Sequence, residues 1–369
     1  LLVLYAPDLA ALDALTVRLQ LDDPTPHGCR TVARIRGEVP PDGREHFGFA
    51  DGISQPVLDF NGSSKSAAKG PLAGDEHWSR VAAGEVLLGA VDGSGHRPPS
   101  PVVDAATDPG GLLGPDNPRD LGRNGSYLVI RQLAQDVAAF TGWLTAHTAD
   151  ADEAELVAAR IVGRNRDGTP LVPAGPGGDN DFGFQEHDPR GLACPFGSHV
   201  RRSNPRDGRR EEGASGDGDP AGTLASTKRH RLLRRGRTYG PPWTEGEPAG
   251  VERGLTFVAL NADIERQFEF VQHHWLNSGT FARPGETDPL VGPQDGHGTF
   301  TLPDAFVRRR YPGLPRFVEV RGGAYCFLPG LAALRYLTSR PLPEPAVTMS
   351  ADGATEADEG PARVPQDAS

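Results

Sequence analysis

The sequence predicts an α+β protein made of two related modules. A strand–helix–strand order occurs in the first half of the chain and again in the second half, around two long loop-rich inserts. With 47 Gly and 35 Pro among 369 residues, much of the chain must be loop. Hydrophobic residues nevertheless make up 37%, which is enough for a substantial core. The repeated order therefore indicates two α+β modules.

In the first half, apolar periodicity predicts most of the elements. Asp8 is positioned to cap the first helix, and the irregular segment 61–123 contains only one strong strand candidate. In chain order, the predicted elements are a strand at 1–6, a helix at 9–21, strands near 31–37 and at 85–91, a strand at 126–133, and helices at 136–148 and 153–162.

The second half repeats this order. Its predicted elements are a strand at 255–260, a helix at 264–277, strands at 317–321 and 324–328, and a short helix at 331–337. Gly322-Gly323 predicts a hairpin between the last two strands. We expect modules at 1–187 and 188–342, with the segment Gly48-Phe-Ala-Asp51-Gly52 and a long loop insert in the first module. The Ala-, Asp-, Glu- and Pro-rich segment 343–369 is predicted to be a disordered acidic tail.

The net charge and the cysteine content argue against several classes of protein. A net charge of −11 argues against binding to nucleic acid or to an anionic membrane surface, and no stretch is apolar and long enough to span a bilayer. Three widely spaced cysteines without a CxxC pair predict neither a disulfide framework nor a zinc site, and they favour the cytoplasm. The sequence starts at Leu1 without a Met, so we expect its N-terminal part to be truncated, and an export signal stays open.

The stretch Cys194-Pro-Phe-Gly-Ser-His199-Val-Arg-Arg-Ser-Asn-Pro-Arg206 places a histidine between a Pro/Gly loop and several arginines. A neutral imidazole is a common metal ligand, and haem needs an axial ligand as well as cations for its propionates. A loop histidine beside a solvated basic surface fits the same residues. A serine hydrolase based on Ser198-His199 is disfavoured because the chain has no GxSxG elbow.

Two further segments carry candidate chemistry. In Gly48-Phe-Ala-Asp51-Gly52, the aspartate can form a turn, or it can be a carboxylate in a dry pocket that moves protons. In Leu232-Leu-Arg234-Arg-Gly-Arg-Thr-Tyr-Gly240, the first arginine can belong to a basic strand before a turn, or it can direct its charge into a pocket. Each pattern alone leaves both alternatives open.

Together, the three segments resemble the dye-decolorizing peroxidases. Phe47-Gly-Phe-Ala-Asp-Gly-Ile-Ser-Gln-Pro56 carries the GxxDG pattern of that family. The His199 stretch is similar to its proximal-haem segment, and the Arg234 stretch is similar to its distal-arginine segment. All three occur in the family's order, and the resemblance extends to about Leu342. It is closest to the longer bacterial and fungal-like members, compared with which the first strands of the N-terminal module are absent.

The resemblance implies duplicated ferredoxin-like modules of the dimeric α+β barrel type, with antiparallel sheets flanked by helices. It also implies haem b (iron protoporphyrin IX) as cofactor, with hydrogen peroxide as oxidant and dyes or phenols as aromatic electron donors. By position, His199 is the expected iron ligand, Asp51 the distal acid–base residue and Arg234 the distal cation. A carboxylate can take and return the peroxide proton, and a guanidinium can stabilise negative charge as the O–O bond breaks. Asp in this role predicts an acidic activity optimum.

Four further residues are assigned by family position. Arg206 is the expected propionate partner, and Asp288 is the acid expected to orient His199, with Asp263 and Glu265 as rivals. Leu255 and Phe257 alternate on a strand and are expected over the distal haem face, although ordinary sheet core explains them equally well.

An alternative function is a non-catalytic haem-binding or iron-release (deferrochelatase-like) protein. Such a protein needs His199 and the arginines but has no need for Asp51 and Arg234 together, so their joint presence favours the enzyme. The natural electron donor, the compartment and the oligomeric state stay open, with a homo-oligomer as one possibility.

Overall fold

A computed structural model describes residues 1–21, 31–60, 76–208, 220–248, 250–281, 285–304 and 306–339. The predicted acidic tail at 343–369 lies outside these residues, as does the 61–75 part of the long loop insert. The structure is a mixture of helices and mostly antiparallel strands.

The elements of the described residues are numbered in chain order. The strands are β1 (Val57–Asp59), β2 (Arg80–Ala82), β3 (Val102–Val103), β4 (Arg119–Asp120), β5 (Ser126–Gln135), β6 (Leu233–Arg234), β7 (Arg237–Tyr239), β8 (Gly254–Asn261), β9 (Gly298–Leu302), β10 (Arg309–Leu314) and β11 (Val318–Leu328). The α-helices are α1 (Leu9–Arg18), α2 (Glu76–Ser79), α3 (Val137–His147), α4 (Ala151–Val162), α5 (Phe184–His187), α6 (His199–Ser203), α7 (Pro220–Lys228) and α8 (Leu331–Ser339). Two 3₁₀ turns, Ala83–Glu85 and Ala105–Thr107, and two π-helical segments, Glu265–Glu269 and Val271–Leu276, complete the set.

The main sheet has five antiparallel strands. Strand β5 lies between β11 and β8, and the far side of β8 pairs with both β6 and β7. The other three sheets of the described residues have two strands each, and of these only the β1–β2 pair is parallel. The long strands β5, β8 and β11 are rich in β-branched and apolar residues, as packing on a pleated surface favours.

Several predicted elements are confirmed. Strands predicted at 126–133 and 255–260 are β5 and β8, and the helices predicted at 136–148, 153–162 and 331–337 are α3, α4 and α8. Asp8 caps α1 because its side chain accepts a hydrogen bond from the backbone N–H of Ala11. The helix predicted at 264–277 is present, but its turns are π-helical.

Three predicted strands are wrong. Residues 1–6 and 31–37 form no strand. The residue after the second range, Glu38, makes one isolated bridge to Thr238. An apolar run becomes a strand only when another strand satisfies its backbone, so the apolar sequence alone was insufficient. Residues 85–91 form turns after the 3₁₀ turn that ends at Glu85, because Gly84 and Gly89 allow a tight chain reversal there.

The predicted hairpin around Gly322-Gly323 is also wrong, because both halves belong to the single strand β11. The ladder with β5 continues through the glycines with a register shift between Val320 and Gly322. A Cβ on Gly323 would lie 2.4 Å from the carbonyl oxygen of Ile130. The glycines therefore permit a bulge and a close approach of strands rather than a turn.

The largest core cluster lies beneath the predicted distal motif. Phe47 and Phe49 pack with residues of α3, α4 and the β9–β10 hairpin, and the ring centroids of Phe47 and Phe140 are 4.8 Å apart. Leu290, two residues after Asp288, belongs to the same cluster. Burying a phenylalanine stabilises a fold by about 1.5–3 kcal/mol. One apolar cluster thus anchors the chain segments that carry Asp51 and Asp288.

The α+β class with antiparallel strands flanked by helices is confirmed. The main sheet takes β5 from the expected first module and β6, β7, β8 and β11 from the expected second module. The module boundary at residue 187 stays a prediction.

Candidate active site

A hydrogen-bonded loop presents Asp51. The Glu45 carboxylate accepts the backbone N–H groups of Phe47 (2.9 Å) and Phe49 (3.0 Å), and it also accepts the side-chain amide of Gln135 at the end of β5 (2.5 Å). Burial raises the pKa of Glu45 despite these hydrogen bonds, and the nearby charge of Asp51 adds to the rise. The loop is therefore tied to the central strand of the main sheet.

Arg166 supports this loop from the other side. Its Nη1 donates to the carbonyl of Phe47 (2.6 Å), and its guanidinium lies 4.7 Å from the centroid of the Phe49 ring. Gly48 has φ +90°, and a Cβ there would lie 2.5 Å from Arg166 Nη1. The glycine of the motif is thus required both by the backbone conformation and by the arginine packed against it.

Arg234 reaches the same place from the edge of the main sheet. It pairs with Ala259 of β8, so its side chain lies on the sheet face that also carries Leu255 and Phe257. Its backbone N–H donates to the Gln55 side chain (3.0 Å), which belongs to the Asp51 motif. The two motifs therefore dock directly onto one another.

Asp51 and Arg234 form an ion pair. Arg234 Nη1 donates to Asp51 Oδ1 at 3.1 Å, and the side chains of Arg234 and Asp51 are 32% and 41% exposed, respectively. Desolvation would raise the pKa of Asp51, but the Arg234 charge and the hydrogen bond from the Gly52 backbone outweigh it and hold the pKa below its usual value. Asp51 is consequently ionised at neutral pH.

The pair faces a cavity of about 240 Å³ that also reaches Leu255. The remaining lining comes from the loop before Asp51, from Gln55 and from the β6–β7 connection. The cavity combines an ionised acid, a fixed cation and an apolar wall. Asp263 and Glu265 line a separate surface groove of about 440 Å³.

His199 is the first residue of α6, directly after the Pro/Gly loop. Its Nδ1 lies 2.9 Å from Asp288 Oδ2, and Asp288 is completely buried. A carboxylate can only accept, so the proton of the imidazole is placed on Nδ1, and Nε2 keeps its lone pair. Burial would lower the pKa of His199, but the Asp288 charge and hydrogen bond outweigh it and raise the pKa.

Asp288 is held as an anion. Its Oδ1 accepts the backbone N–H groups of Leu290 and Val291, both at 2.9 Å. Burial would raise the pKa of Asp288, but His199, the Val291 N–H and the charge of Arg202 together keep it below its usual value. The rivals Asp263 and Glu265 do not contact His199; Asp263 instead accepts from Arg266.

Two buried arginines of α6 fix the loops on either side of this pair. Arg202 has no exposed surface and donates to the carbonyls of Ser278 (2.7 Å), Phe281 (3.0 Å) and Glu286 (3.1 Å), which precede Asp288. Arg201 Nη1 donates to Asp188 (3.1 Å) and to the carbonyl of Cys194 (2.8 Å) in the loop before His199. Gly163 is also required there, because a Cβ at its φ of +100° would lie 2.9 Å from Val200 Cβ.

The structure brings the three main predicted residues into one region. Asp51 and Arg234 both affect the pKa of His199, so the three lie within electrostatic range of one another. Phe257 is half-buried on the Arg234 face of the sheet, where its ring lies 6.0 Å from that of Phe268.

Arg206 is buried against Phe182, with its guanidinium 3.8 Å from the ring centroid. Its Nη1 donates to the carbonyls of Asn180 and Phe182, and its backbone has φ +54°. These contacts give it a structural position, and its role as a propionate partner stays a prediction.

Sequence reasoning missed four supporting residues. They are Glu45, Gln55, Arg166 and Arg202, each of which holds a loop or strand that carries a predicted site residue. Gln55 lies within the quoted GxxDG segment, and Arg202 lies within the His199 stretch. Nothing in the spacing of Glu45 or Arg166 indicates their contacts.

Comparisons with known proteins give a consistent picture. No family model matches the chain. It is 31% identical over 370 residues to a multifunctional dye peroxidase of Amycolatopsis sp., covering 91% of this chain and 70% of that protein. It is also 31% identical over 350 residues to a dye-decolorizing peroxidase of Mycetinis scorodonius, covering 84% of this chain. The chain spans only 60% of the length of the latter relative.

Solved structures of dye-decolorizing peroxidases also match this chain. An ancestral D-type dye-decolorizing peroxidase superimposes with a TM-score of 0.67 at 28% identity, over 89% of this chain and 71% of its own. A triple mutant of the enzyme from Auricularia auricula-judae gives a TM-score of 0.65 at 25% identity, over 90% of this chain and 73% of its own.

Proposed function

Because the chain belongs to the dye-decolorizing peroxidase family, we propose that it is a haem b peroxidase that reduces hydrogen peroxide and oxidises dyes or phenolic donors. One observation carries this proposal: the Asp51–Arg234 ion pair lines a cavity within electrostatic range of His199, whose Nδ1 is engaged by a buried carboxylate. A related enzyme has been solved in complex with 2,6-dimethoxyphenol, which supports a phenolic donor here.

The donor set fits an iron porphyrin. His199 presents Nε2 as a ligand, because Nδ1 donates to Asp288, and the acid partner increases the basicity of the imidazole. Leu255 and Phe257 supply apolar surface on the sheet face that carries Arg234. When bound, haem would supply the iron at which peroxide is cleaved. Arg206 is the candidate partner for a propionate by position in the sequence.

Asp51 would act as the acid–base residue. Its ionised carboxylate accepts the proton from one peroxide oxygen and returns it to the other, which leaves as water. The lowered pKa keeps Asp51 ionised well into the acidic range, which is compatible with an acidic activity optimum. Arg234 keeps its charge throughout and stabilises negative charge as the O–O bond breaks.

The test is peroxide-dependent oxidation of a dye by the haem-loaded protein, compared with its Asp51→Asn and Arg234→Leu variants. We expect each variant to keep its absorption spectrum and to lose turnover by about 10²–10⁴-fold. The matched control is Asp13→Asn, which removes an exposed carboxylate that pairs with the exposed Arg36. Full turnover in both active-site variants would contradict the roles of Asp51 and Arg234. No turnover in the unchanged protein would favour a haem-binding or iron-release protein.

A further inference from the structure

The rim of the cavity carries three arginines that the proposed reaction does not use. Arg44 lies on the loop before Asp51. Arg235 follows Arg234 directly after β6, and Arg237 is the first residue of β7. All three line the same cavity as Asp51 and Arg234. Arg235 and Arg237 are exposed, and Arg44 is half-buried. The rim is thus both cationic and open to solvent.

Among the described residues, none of these three side chains makes an ion pair, in contrast to Arg234. Arg235 Nη1 donates to the carbonyl of Arg234 (2.8 Å), and Arg237 Nη1 donates to the carbonyl of Gly236 (2.9 Å). These bonds fix one nitrogen of each guanidinium and leave its other donors for a ligand. The charge of Arg44 contributes to the lowered pKa of Asp167, but the two side chains are too far apart to form an ion pair.

The acids of the cavity do not cancel this charge. They are Glu38, Glu45 and Asp51. Asp51 is already paired with Arg234, and Glu45 is turned toward the backbone N–H groups of its own loop. Only Glu38 therefore opposes three arginines, in a chain whose net charge is −11. A local positive rim on an acidic protein attracts anions to that one opening.

The rim is also held in place. The N–H of Glu38 donates to the carbonyl of Thr238 (2.8 Å), and the Thr238 hydroxyl donates back to the carbonyl of Glu38 (2.7 Å). A Cβ on Gly37 would lie 2.9 Å from Arg237 Cβ, so the wall of the cavity packs directly on β7. A preorganised arrangement of cations loses little freedom when an anion binds.

We propose that Arg44, Arg235 and Arg237 form an anion subsite that takes the carboxylate or sulfonate group of an aromatic electron donor. This inference rests on the proposed peroxidase function, because it names the class of donor that this cavity selects. Planar guanidinium groups pair well with carboxylates, and the apolar Val39 and Pro40 of the same cavity lining suit an aromatic ring.

The first test measures binding without turnover. Isothermal titration of the haem-loaded protein with 4-hydroxy-3,5-dimethoxybenzoate is compared with titration by 2,6-dimethoxyphenol, which has the same ring without the carboxylate. We expect the double variant Arg235→Gln/Arg237→Gln to weaken binding of the benzoate about fivefold to tenfold, since exposed charge contacts are each worth up to about fivefold. Sodium chloride should weaken the same binding in the unchanged protein.

The second test measures selectivity. The ratio of kcat/KM for the benzoate to kcat/KM for the phenol should fall by a similar factor in the double variant, mainly through KM for the benzoate. Arg335→Gln, which removes an exposed arginine on α8, is the control and should leave the ratio unaltered.

Equal binding of the benzoate by the unchanged protein and the double variant would overturn the inference. A parallel loss of haem content in the double variant would also overturn it, because the arginines would then serve the porphyrin propionates. If no donor is oxidised at all, the proposed function fails while the titration still decides the anion subsite.

Discussion

The two sides of the site hold similar carboxylates in opposite surroundings. Asp288 lies 2.9 Å from His199 Nδ1 with no exposed surface, whereas Asp51 lies 3.1 Å from Arg234 Nη1 with 41% of its side chain exposed. Both carboxyl groups have lowered pKa values, but through different partners. Asp288 receives two backbone N–H groups as well as the imidazole, while Asp51 depends chiefly on one guanidinium.

This difference in surroundings suits Asp288 to orienting a histidine and Asp51 to exchanging a proton with a substrate. A buried carboxylate with every oxygen engaged cannot exchange protons with solvent, so it can only orient and polarise its histidine. A carboxylate at a cavity, with one oxygen on an arginine, keeps another for a substrate proton. The proximal pair should therefore govern cofactor binding, and the distal pair should govern reaction with peroxide.

The largest expected effect is the loss of haem binding when His199 is replaced. His199→Ala removes the nitrogen that would bind iron, and burial raises the pKa of the Cys194 thiol in the same stretch to about 11, which disfavours the thiolate as a replacement. We expect the purified variant to lose the strong Soret absorption band that the unchanged protein shows after reconstitution with haem. His46→Ala is the control, because His46 Nε2 contacts the carbonyl of Tyr239. An undiminished Soret band in His199→Ala would exclude His199 as the ligand.

A smaller effect should follow from Asp288→Asn. The amide keeps the shape of the side chain but removes the charge that orients His199, so haem affinity should fall about 10–100-fold. Haem titration followed by absorbance measures this change. Arg202→Gln, which loosens the loop before Asp288, should lower affinity in the same direction but by less. An Asp288→Asn protein with unchanged affinity would show that the buried contact does not serve the cofactor.

On the distal side, Glu45→Gln should weaken the reaction with peroxide about tenfold. Glutamine keeps the size of the side chain but replaces one accepting oxygen by a donor, which faces a backbone N–H of Phe47 or Phe49. The loop would shift and misplace Asp51, at a cost in rate typical of imperfect positioning. The value of kcat/KM for hydrogen peroxide measures the loss of rate. The control is Glu186→Gln, which changes an exposed side chain of α5.

The smallest expected effect concerns stability of the cofactor-free protein. Because the pKa of Asp51 is lowered on folding, its ion pair stabilises the fold above the unfolded carboxyl pKa of about 4, and this contribution disappears as pH falls through the folded value. Exposed pairs contribute only about 0.2–1 kcal/mol. We therefore expect Asp51→Asn to change the free energy of unfolding by less than about 1 kcal/mol at pH 7, and by less still at pH 3. Urea unfolding at both pH values would detect a larger change, which would mean that Asp51 is structural.

Sequence reasoning predicted the α+β class and proposed three site residues from local motifs. The residues Asp51, His199 and Arg234 belong to local motifs, and a motif is readable because its residue types and spacing reflect one loop or strand. The contact between Asp288 and His199 joins positions far apart in the chain, and only family position suggested it.

The failures have a common physical cause. The strands expected at residues 1–6 and 85–91 had suitable composition, but a strand needs a partner, and partners are set by the whole sheet. Gly322-Gly323 looked like a turn because glycine serves both turns and close strand contacts, and local sequence does not distinguish them. Glu45 and Arg166 were missed for a similar reason, since their partners are backbone groups of a folded loop.

The most direct test of the two-sided account is rapid mixing of haem-loaded protein with hydrogen peroxide, followed by the Soret spectrum in time. We predict a fast spectral change in the unchanged protein, and in Asp51→Asn an unaltered starting spectrum with a change at least about 100-fold slower. A change equally fast in both proteins, or an Asp51→Asn protein that no longer holds haem, would contradict the division of binding and reaction between the two sides.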